Sequence, residues 1–422
     1  MTSLADRIRG IVAQRAPGCQ PSALSPEPSL ESALGGIAAH NGYLVIEREW
    51  KPTARHGREE VGTLAERMHV GADDAPLFAG GAPARAPFVF FDLETTGLNG
   101  GAGTHAFLIG CGWFDDDRFV TRQFLMTRYA DERALLERVA MELRRAGAIV
   151  SFNGKSFDAP LLEMRYLFHR LDWFGDRLPH VDVLHAARQF WRRDDCSLNA
   201  LERQVIGWRR HADVDGFEIP ARYFQFVRTA DARPLAPVLD HNRLDLLSLA
   251  ALTSRLFDMC RKGPDAAATA REALALGHLY TRAEFDARAR DAYRRAITMS
   301  RAPQGAFDAT KIEALRALAL ACRRARHFEE AARHWKALID IRGCPAHIAF
   351  EAGEALAVHH EHRVRDLDTA RTFVLQSADR TEGKAKKKDA LAHRLARLER
   401  KRQRAATGSF LPLAAFLRCS DV

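Results

Sequence analysis

Cysteine is sparse and scattered: Cys19, Cys111, Cys196, Cys260, Cys322, Cys344 and Cys419 make an odd seven in 422 residues, with no C-x-x-C pair among them. That excludes a disulfide framework and a cysteine-based zinc site. Long apolar runs are missing as well. No stretch approaches the roughly 18 apolar residues of a membrane span, and Met1-Thr-Ser-Leu-Ala-Asp-Arg-Ile-Arg9 lacks the unbroken apolar core of a secretion signal. The expectation is a reduced, soluble, cytoplasmic protein with no membrane contact. There is no acidic excess either. Its 63 Lys and Arg against 54 Asp and Glu give a net charge of +9 and a pI near 9.4. This balance suits an acidic partner such as nucleic acid and serves plain solubility equally well.

At 422 residues the chain exceeds one typical core, so two or three domains are expected. Residues 1–85 form an N-terminal extension to which no chemistry is assigned. Leu4, Ile8, Ile11 and Val12 line one face of a helix that Pro17 ends. A Ser/Pro-rich linker follows over 20–28, residues 42–50 have strand character, and the Gly/Pro-rich stretch 80–87 marks a boundary.

Immediately after that boundary stands Phe88-Val-Phe-Phe-Asp-Leu-Glu-Thr-Thr-Gly-Leu98. Four large apolar residues in a row suit a strand buried on both faces. Asp92 and Glu94 are two apart, so in an extended chain both carboxylates leave the same side of the sheet while Leu93 turns back to the core. Two such neighbours repel unless a cation lies between them, and a hard divalent ion takes oxygen ligands of this kind. A strand that merely ends in polar residues at a Thr-Gly turn accounts for the pair equally well. The stretch 99–103 is glycine-rich but lacks the Lys and spacing of a P-loop and reads as a turn.

A hairpin is expected from 107–114 and 119–125 about the Asp115-Asp-Asp-Arg118 turn. An amphipathic helix over 131–145 and a second buried strand over 148–152 follow. This order belongs to a mixed sheet covered by helices. Asp158 then precedes a helix with Pro160 in its first turn, which makes it a good N-cap. Ligand sites in open sheets gather at the carboxyl ends of strands, so the same position also brings Asp158 toward Asp92 and Glu94. Asp182 ranks lower, as a cap or turn residue. Farther on, His241 and Asp245 are one helical turn apart and share a face. A lone His near a helix start also serves as a structural hydrogen-bonder.

Taken together, Asp92-x-Glu94, Asn153-x-x-x-Phe157-Asp158 and His241-x-x-x-Asp245 resemble the three motifs of the DEDD superfamily of 3′–5′ exonucleases, most closely its YprB-like ribonuclease H-like branch. The resemblance covers residues 86–258. It implies an α/β ribonuclease H-like domain with a mixed five-stranded sheet flanked by helices. It further implies two Mg²⁺ or Mn²⁺ ions held by Asp92, Glu94, Asp158 and Asp245, with His241 as general base. Thr95, Asn153 and Lys155 are the candidates for contact with a DNA or RNA substrate. One departure stands: the His/Asp interval is four, as in the tyrosine-bearing branch, where the histidine branch commonly has five.

Beyond Pro264 the composition becomes Ala-rich and helical. Leu276, Gly277, Tyr280, Ala289, Tyr293 and Ala296 match tetratricopeptide spacing. A looser second unit has Leu318, Ala319, Cys322, Ala331, Trp335 and Leu338, and a third lies around Ala370. Residues 265–378 are therefore expected to be a helical repeat domain offering a surface to a protein partner, and an ordinary helical hairpin domain shares the same signals. Residues 379–422 bring a basic amphipathic helix with Leu391, Leu395 and Leu398 on one face, suited to phosphate contact or to solvent. The leading expectation is a metal-dependent 3′–5′ exonuclease. A nucleic-acid-binding adaptor without turnover and an endonuclease of the ribonuclease H or resolvase kind are the alternatives.

Overall fold

The computed structural model describes residues 30–38, 42–97, 103–191, 195–211, 213–301, 306–379 and 385–406. The expected helix over 4–12, the linker over 20–28, most of the glycine stretch and the chain beyond 406 lie outside these residues.

The main sheet contains β1 (Ile37–Ala38), β2 (Tyr43–Trp50), β5 (Phe88–Thr95), β6 (Ala106–Asp115), β7 (Arg118–Met126), β8 (Ala148–Ser151) and β9 (His180–Asp182), in the order β1-β2-β7-β6-β5-β8-β9. The two-residue strands β3 (Arg55–His56) and β4 (Glu59–Glu60) form a separate hairpin. β8 lies parallel to β5 and β9 parallel to β8, while the remaining pairs are antiparallel. The sheet is thus mixed, but it has seven strands rather than the five expected. The difference lies in the N-terminal segment: β2 pairs along its whole length with β7, from Tyr43 opposite Met126 to Trp50 opposite Phe119, and carries β1 on its outer side.

The apolar run of β5 divides by parity. Phe88 and Phe90 enter one core with Ala148, Val150 and Val181, whereas Val89, Phe91 and Leu93 enter the other with Ile149. Burying each such large side chain contributes about 2–3 kcal/mol. Helices α2 (Val61–Val70), α6 (Val183–Phe190) and the body of α9 (Ala236–Lys262) cover the first face. Helices α4 (Glu132–Leu143), α5 (Asp158–Phe168) and α8 (Ile219–Thr229) cover the second, and the short α1 (Leu30–Leu34), α3 (Ala75–Phe78) and α7 (Leu198–Leu201) fill edges. A buried ion pair pins α5 to α4, with Arg165 Nε donating to Glu132 Oε1 at 2.7 Å.

After Gly263 the chain is helical: α10 (Ala270–Arg282), α11 (Asp286–Met299), α12 (Ala309–Arg324), α13 (Phe328–Ile339), α14 (Ala346–His359), α15 (Leu367–Asp379) and α16 (Ala385–Ala406), each packed on the next. The small residues of the repeat spacing explain the close packing. A Cβ on Gly277 would fall 2.3 Å from the Tyr293 ring, and Leu276, Tyr280, Ala289 and Ala296 are buried beside it, as are Leu318, Ala319, Cys322, Ala331, Trp335 and Leu338 in the next pairs. Trp191 Nε1 donates to Glu272 Oε1 at 2.8 Å, joining this region to the end of α6. In α16, Leu391 and Leu398 pack inward. Arg397 and Lys401 reach back to the enclosed Glu361 carboxylate at 2.6 and 2.7 Å, so part of its positive charge is neutralised within the chain. No helix among the described residues is long and apolar enough to cross a membrane.

Candidate active site

Asp92 and Glu94 continue the parity of Phe88 and Phe90, so their carboxylates project toward α9 where β5 ends. Because β5 and β8 are parallel, the loop after β8 opens at the same edge of the sheet. A cavity of about 360 Å³ lies there, lined by Asp92, Glu94 and Thr95 from β5, Asn153 and Asp158 from the β8–α5 connection, and His241 and Asp245 from α9. The five residues expected to carry the chemistry therefore meet in one cavity, although more than 80 positions separate Asp158 from His241 along the chain. Of the three candidates for substrate contact, Thr95 and Asn153 line it. Lys155 is exposed and stands off it.

The approach of α9 to the sheet depends on a glycine. Gly110 of β6 pairs with Asp92 on one side and Gln123 on the other, and a Cβ there would come 2.2 Å from Asn242 Oδ1. In the space left open, Asn242 Nδ2 donates to Asp92 Oδ2 at 2.8 Å while its Oδ1 accepts from Gln123 Nε2 at 2.9 Å. Gln123 also donates to the Leu239 carbonyl at 2.8 Å. These bonds fix both the register of α9 and the orientation of the Asp92 carboxylate.

Asp158 departs from the expected N-cap. It is the first residue of α5, Phe157 holds the cap position, and no side chain caps this end. The Asp158 carboxylate is thus left to face the cavity. Asp182 does the local capping instead. Its Oδ1 accepts from Leu184 N at the start of α6 and from Asn153 N, and its Oδ2 accepts from Lys155 N at 3.1 Å. Asp182 therefore shapes the loop that presents Asn153 and Asp158.

The acidic residues act on one another's ionisation. Burial, followed by the charges of Asp245, Glu94 and Asp158, raises Asp92 well above the usual carboxylate range, against the hydrogen bond from Asn242. Burial and the charges of Asp245 and Asp158 do the same to Glu94, with Arg210 opposing. Asp158 is pushed up to about 7 by burial and by Asp182. A buried Glu94 beside the half-buried Asp92, Asp158 and Asp245, with the charges of Asp245 and Asp158 raising both Asp92 and Glu94, forms a donor set suited to hard divalent cations, whose charge would relieve the repulsion. The set faces a shared space rather than a single point. Among the described residues, the trio of metal-type ligand atoms lying within 4.8 Å of one another is Cys322, Glu330 and His334 in the helical region. That trio is otherwise engaged: Arg294 donates to Glu330 at 2.8 Å, and burial pushes the Cys322 thiol up to about 11.

Three polar residues that hold the cavity's lining side chains have no counterpart in the expected set. Asn242 lies beside His241, where a polar residue facing a sheet is a legible signal once the helix is phased. Arg210 and Asp213 come from the connection between α7 and α8, and no periodicity marks them. Asp213 Oδ1 is 2.7 Å from His241 Nδ1, and Arg210 contacts Asp245 and Glu202.

Residues 89–257 match the RNase_H superfamily. Along the whole chain, the sequence is 30% identical over 370 residues to the protein YprB of Bacillus subtilis (strain 168), covering 85% of this chain and 86% of that one. The chain belongs to the YprB family. Its ribonuclease H-like domain is thereby established, with the mixed sheet, flanking helices and trailing helical region described above. Among solved structures, the family B DNA polymerase of the hyperthermophilic archaeon Pyrobaculum calidifontis matches 47% of this chain at 14% identity with a TM-score of 0.33, and the chain spans 29% of that polymerase.

Proposed function

We propose that the chain is a metal-dependent nuclease that hydrolyses phosphodiester bonds of DNA or RNA, acting as a 3′–5′ exonuclease. The observation that carries this is the meeting of Asp92, Glu94, Asp158, Asp245 and His241 in one cavity at the end of β5. A ribonuclease H-like domain supports it, and so does the cost of holding mutually repelling carboxylates in a half-buried site with no catalytic use. Asp92, Glu94, Asp158 and Asp245 would hold Mg²⁺ or Mn²⁺, two ions by charge, which when bound supply electrostatic stabilisation at the phosphoryl oxygens and a more acidic attacking water. The chain's own groups do the rest. His241 Nδ1 lies 2.7 Å from Asp213, an acceptor that favours the ring proton on Nδ1 over the competing donor Arg210 Nη1 at 3.2 Å, and this leaves Nε2, 3.6 Å from Asp245 Oδ2, to take the proton of the water. Asn242 orients Asp92, and Asp182 holds the loop that presents Asn153 to the substrate. The helices from α10 onward serve as a short tetratricopeptide-like array with a surface for a protein partner.

The test is incubation of the full chain with end-labelled single- and double-stranded DNA and RNA, with Mg²⁺, Mn²⁺ or chelator. A metal-dependent ladder from the 3′ end is expected. Discrete internal fragments would replace the exonuclease by an endonuclease, and intact substrate in every lane would remove the nuclease.

A further inference from the structure

Arg210 reaches the acidic cavity from behind. Its side chain is 4% exposed, and its guanidinium is divided between two kinds of partner. Nε donates to Glu202 Oε2 at 2.9 Å, and Nη2 bridges Glu202 Oε1 and Asp245 Oδ1. Nη1 faces Asp213 Oδ2 at 3.3 Å and His241 Nδ1 at 3.2 Å. Glu202 opens the π-helical turn Glu202–Ile206 and is fully enclosed. It also accepts from Ser248 Oγ at 2.5 Å, and Ser248 in turn lies 2.8 Å from His56 Nε2. Glu202 is thus anchored in the core by α9 and by the β3–β4 hairpin. Asp245, by contrast, faces the cavity.

A carboxylate oxygen already bonded to a guanidinium repels a second cation through that guanidinium's charge. Arg210 does not need Asp245 to remain paired, because the Glu202 carboxylate offers it a two-oxygen fork and Asp213 lies beside Nη1. We propose that Arg210 gates the cation site: its guanidinium holds Asp245 until a divalent ion takes that carboxylate, whereupon the guanidinium is retained by Glu202 and Asp213. The inference rests on the nuclease reading above, and it names a positioning residue of that same site.

The experiment is calorimetric titration of the full-length protein with Mn²⁺ and no nucleic acid, each variant first shown by its melt to be folded. Arg210→Gln should bind Mn²⁺ more tightly, on the order of tenfold, since removing a charge contact at this range shifts an equilibrium by that much or more, whereas Arg210→Lys, which keeps the positive charge, should stay close to wild type. Glu202→Gln should bind it more weakly by a similar factor, because the guanidinium then leans more heavily on Asp245. Opposite shifts in the two kinds of variant are not expected from a merely structural pair. Unchanged or weaker Mn²⁺ binding in Arg210→Gln, with Asp92→Asn losing the ion, overturns the gate and leaves the nuclease reading standing. Full Mn²⁺ binding by Asp92→Asn overturns both.

Discussion

Asn242 Nδ2 stands 2.8 Å from Asp92 Oδ2, so a neutral amide on α9 aims the first carboxylate of the cavity from 150 positions away. The opposite end of the same amide is held by Gln123, which leaves it little freedom to turn. Asn242→Ala is expected to lower hydrolysis about 10–100-fold, as loss of an outer partner does at metal sites, and to destabilise the fold by about 1–2 kcal/mol. Steady-state rates and denaturant melts measure the two effects separately. A variant with wild-type rates would show that Asp92 needs no such aim.

Gly110 tests the same contact from the sheet side. Ala at this position would put Cβ 2.2 Å from Asn242 Oδ1 and 2.9 Å from Leu246 Cδ1, and a packed interface accommodates such an intrusion at about 1–3 kcal/mol. Gly110→Ala should therefore melt earlier and hydrolyse more slowly. Gly103, whose Cβ would meet nothing within 4 Å, provides the control: Gly103→Ala should leave the melt unchanged.

His241 is assigned a proton-accepting role, and the pH–rate profile reports it. His241→Ala is expected to lower the rate and to flatten the ascending limb of that profile. If the limb keeps its position and slope, the base lies elsewhere in the cavity.

His56 predicts an acid-side loss of stability. Burial, aided by the charge of Arg210, pulls its imidazole from 6.5 down to about 4. Between those values the unfolded chain binds a proton that the folded chain refuses. The contribution is therefore fully present above pH 6.5 and lost as the pH falls toward 4, in all about 3 kcal/mol. The raised carboxyls of Asp92, Glu94 and Asp158 act in the opposite direction over the same window, so the His56 contribution is read as a difference: in melts, His56→Gln, which keeps a donor for Ser248, should gain stability relative to wild type as the pH falls from 6.5 to 4. Parallel curves for the two proteins would mean that His56 is not the group responsible.

Much of the fold was legible because its signals are local. The run from Phe88 to Phe91 and the two-residue step from Asp92 to Glu94 determine which side of β5 faces α9, and the four-residue step from His241 to Asp245 determines a helix face. What sequence reasoning missed depends on contacts between distant segments. The strand character of 42–50 is visible, but its pairing with β7 is not, since nothing near Tyr43 specifies Met126 as its neighbour. Asp158 reads as an N-cap by position, yet Phe157 takes that place in the backbone and frees the carboxylate. Arg210 sits in a connection without periodicity, and its importance comes only from Glu202 and Asp245 closing on it.

The central claim is that Asp92 and its partners form a hydrolytic centre, and one comparison addresses it most directly. Wild type and Asp92→Asn are incubated with the same end-labelled oligonucleotide in Mg²⁺ or Mn²⁺, with cleavage read on a gel and binding read by anisotropy in the same buffer. The expected result is that Asp92→Asn loses cleavage to background while binding stays close to wild type. Undiminished cleavage by the variant would contradict the account.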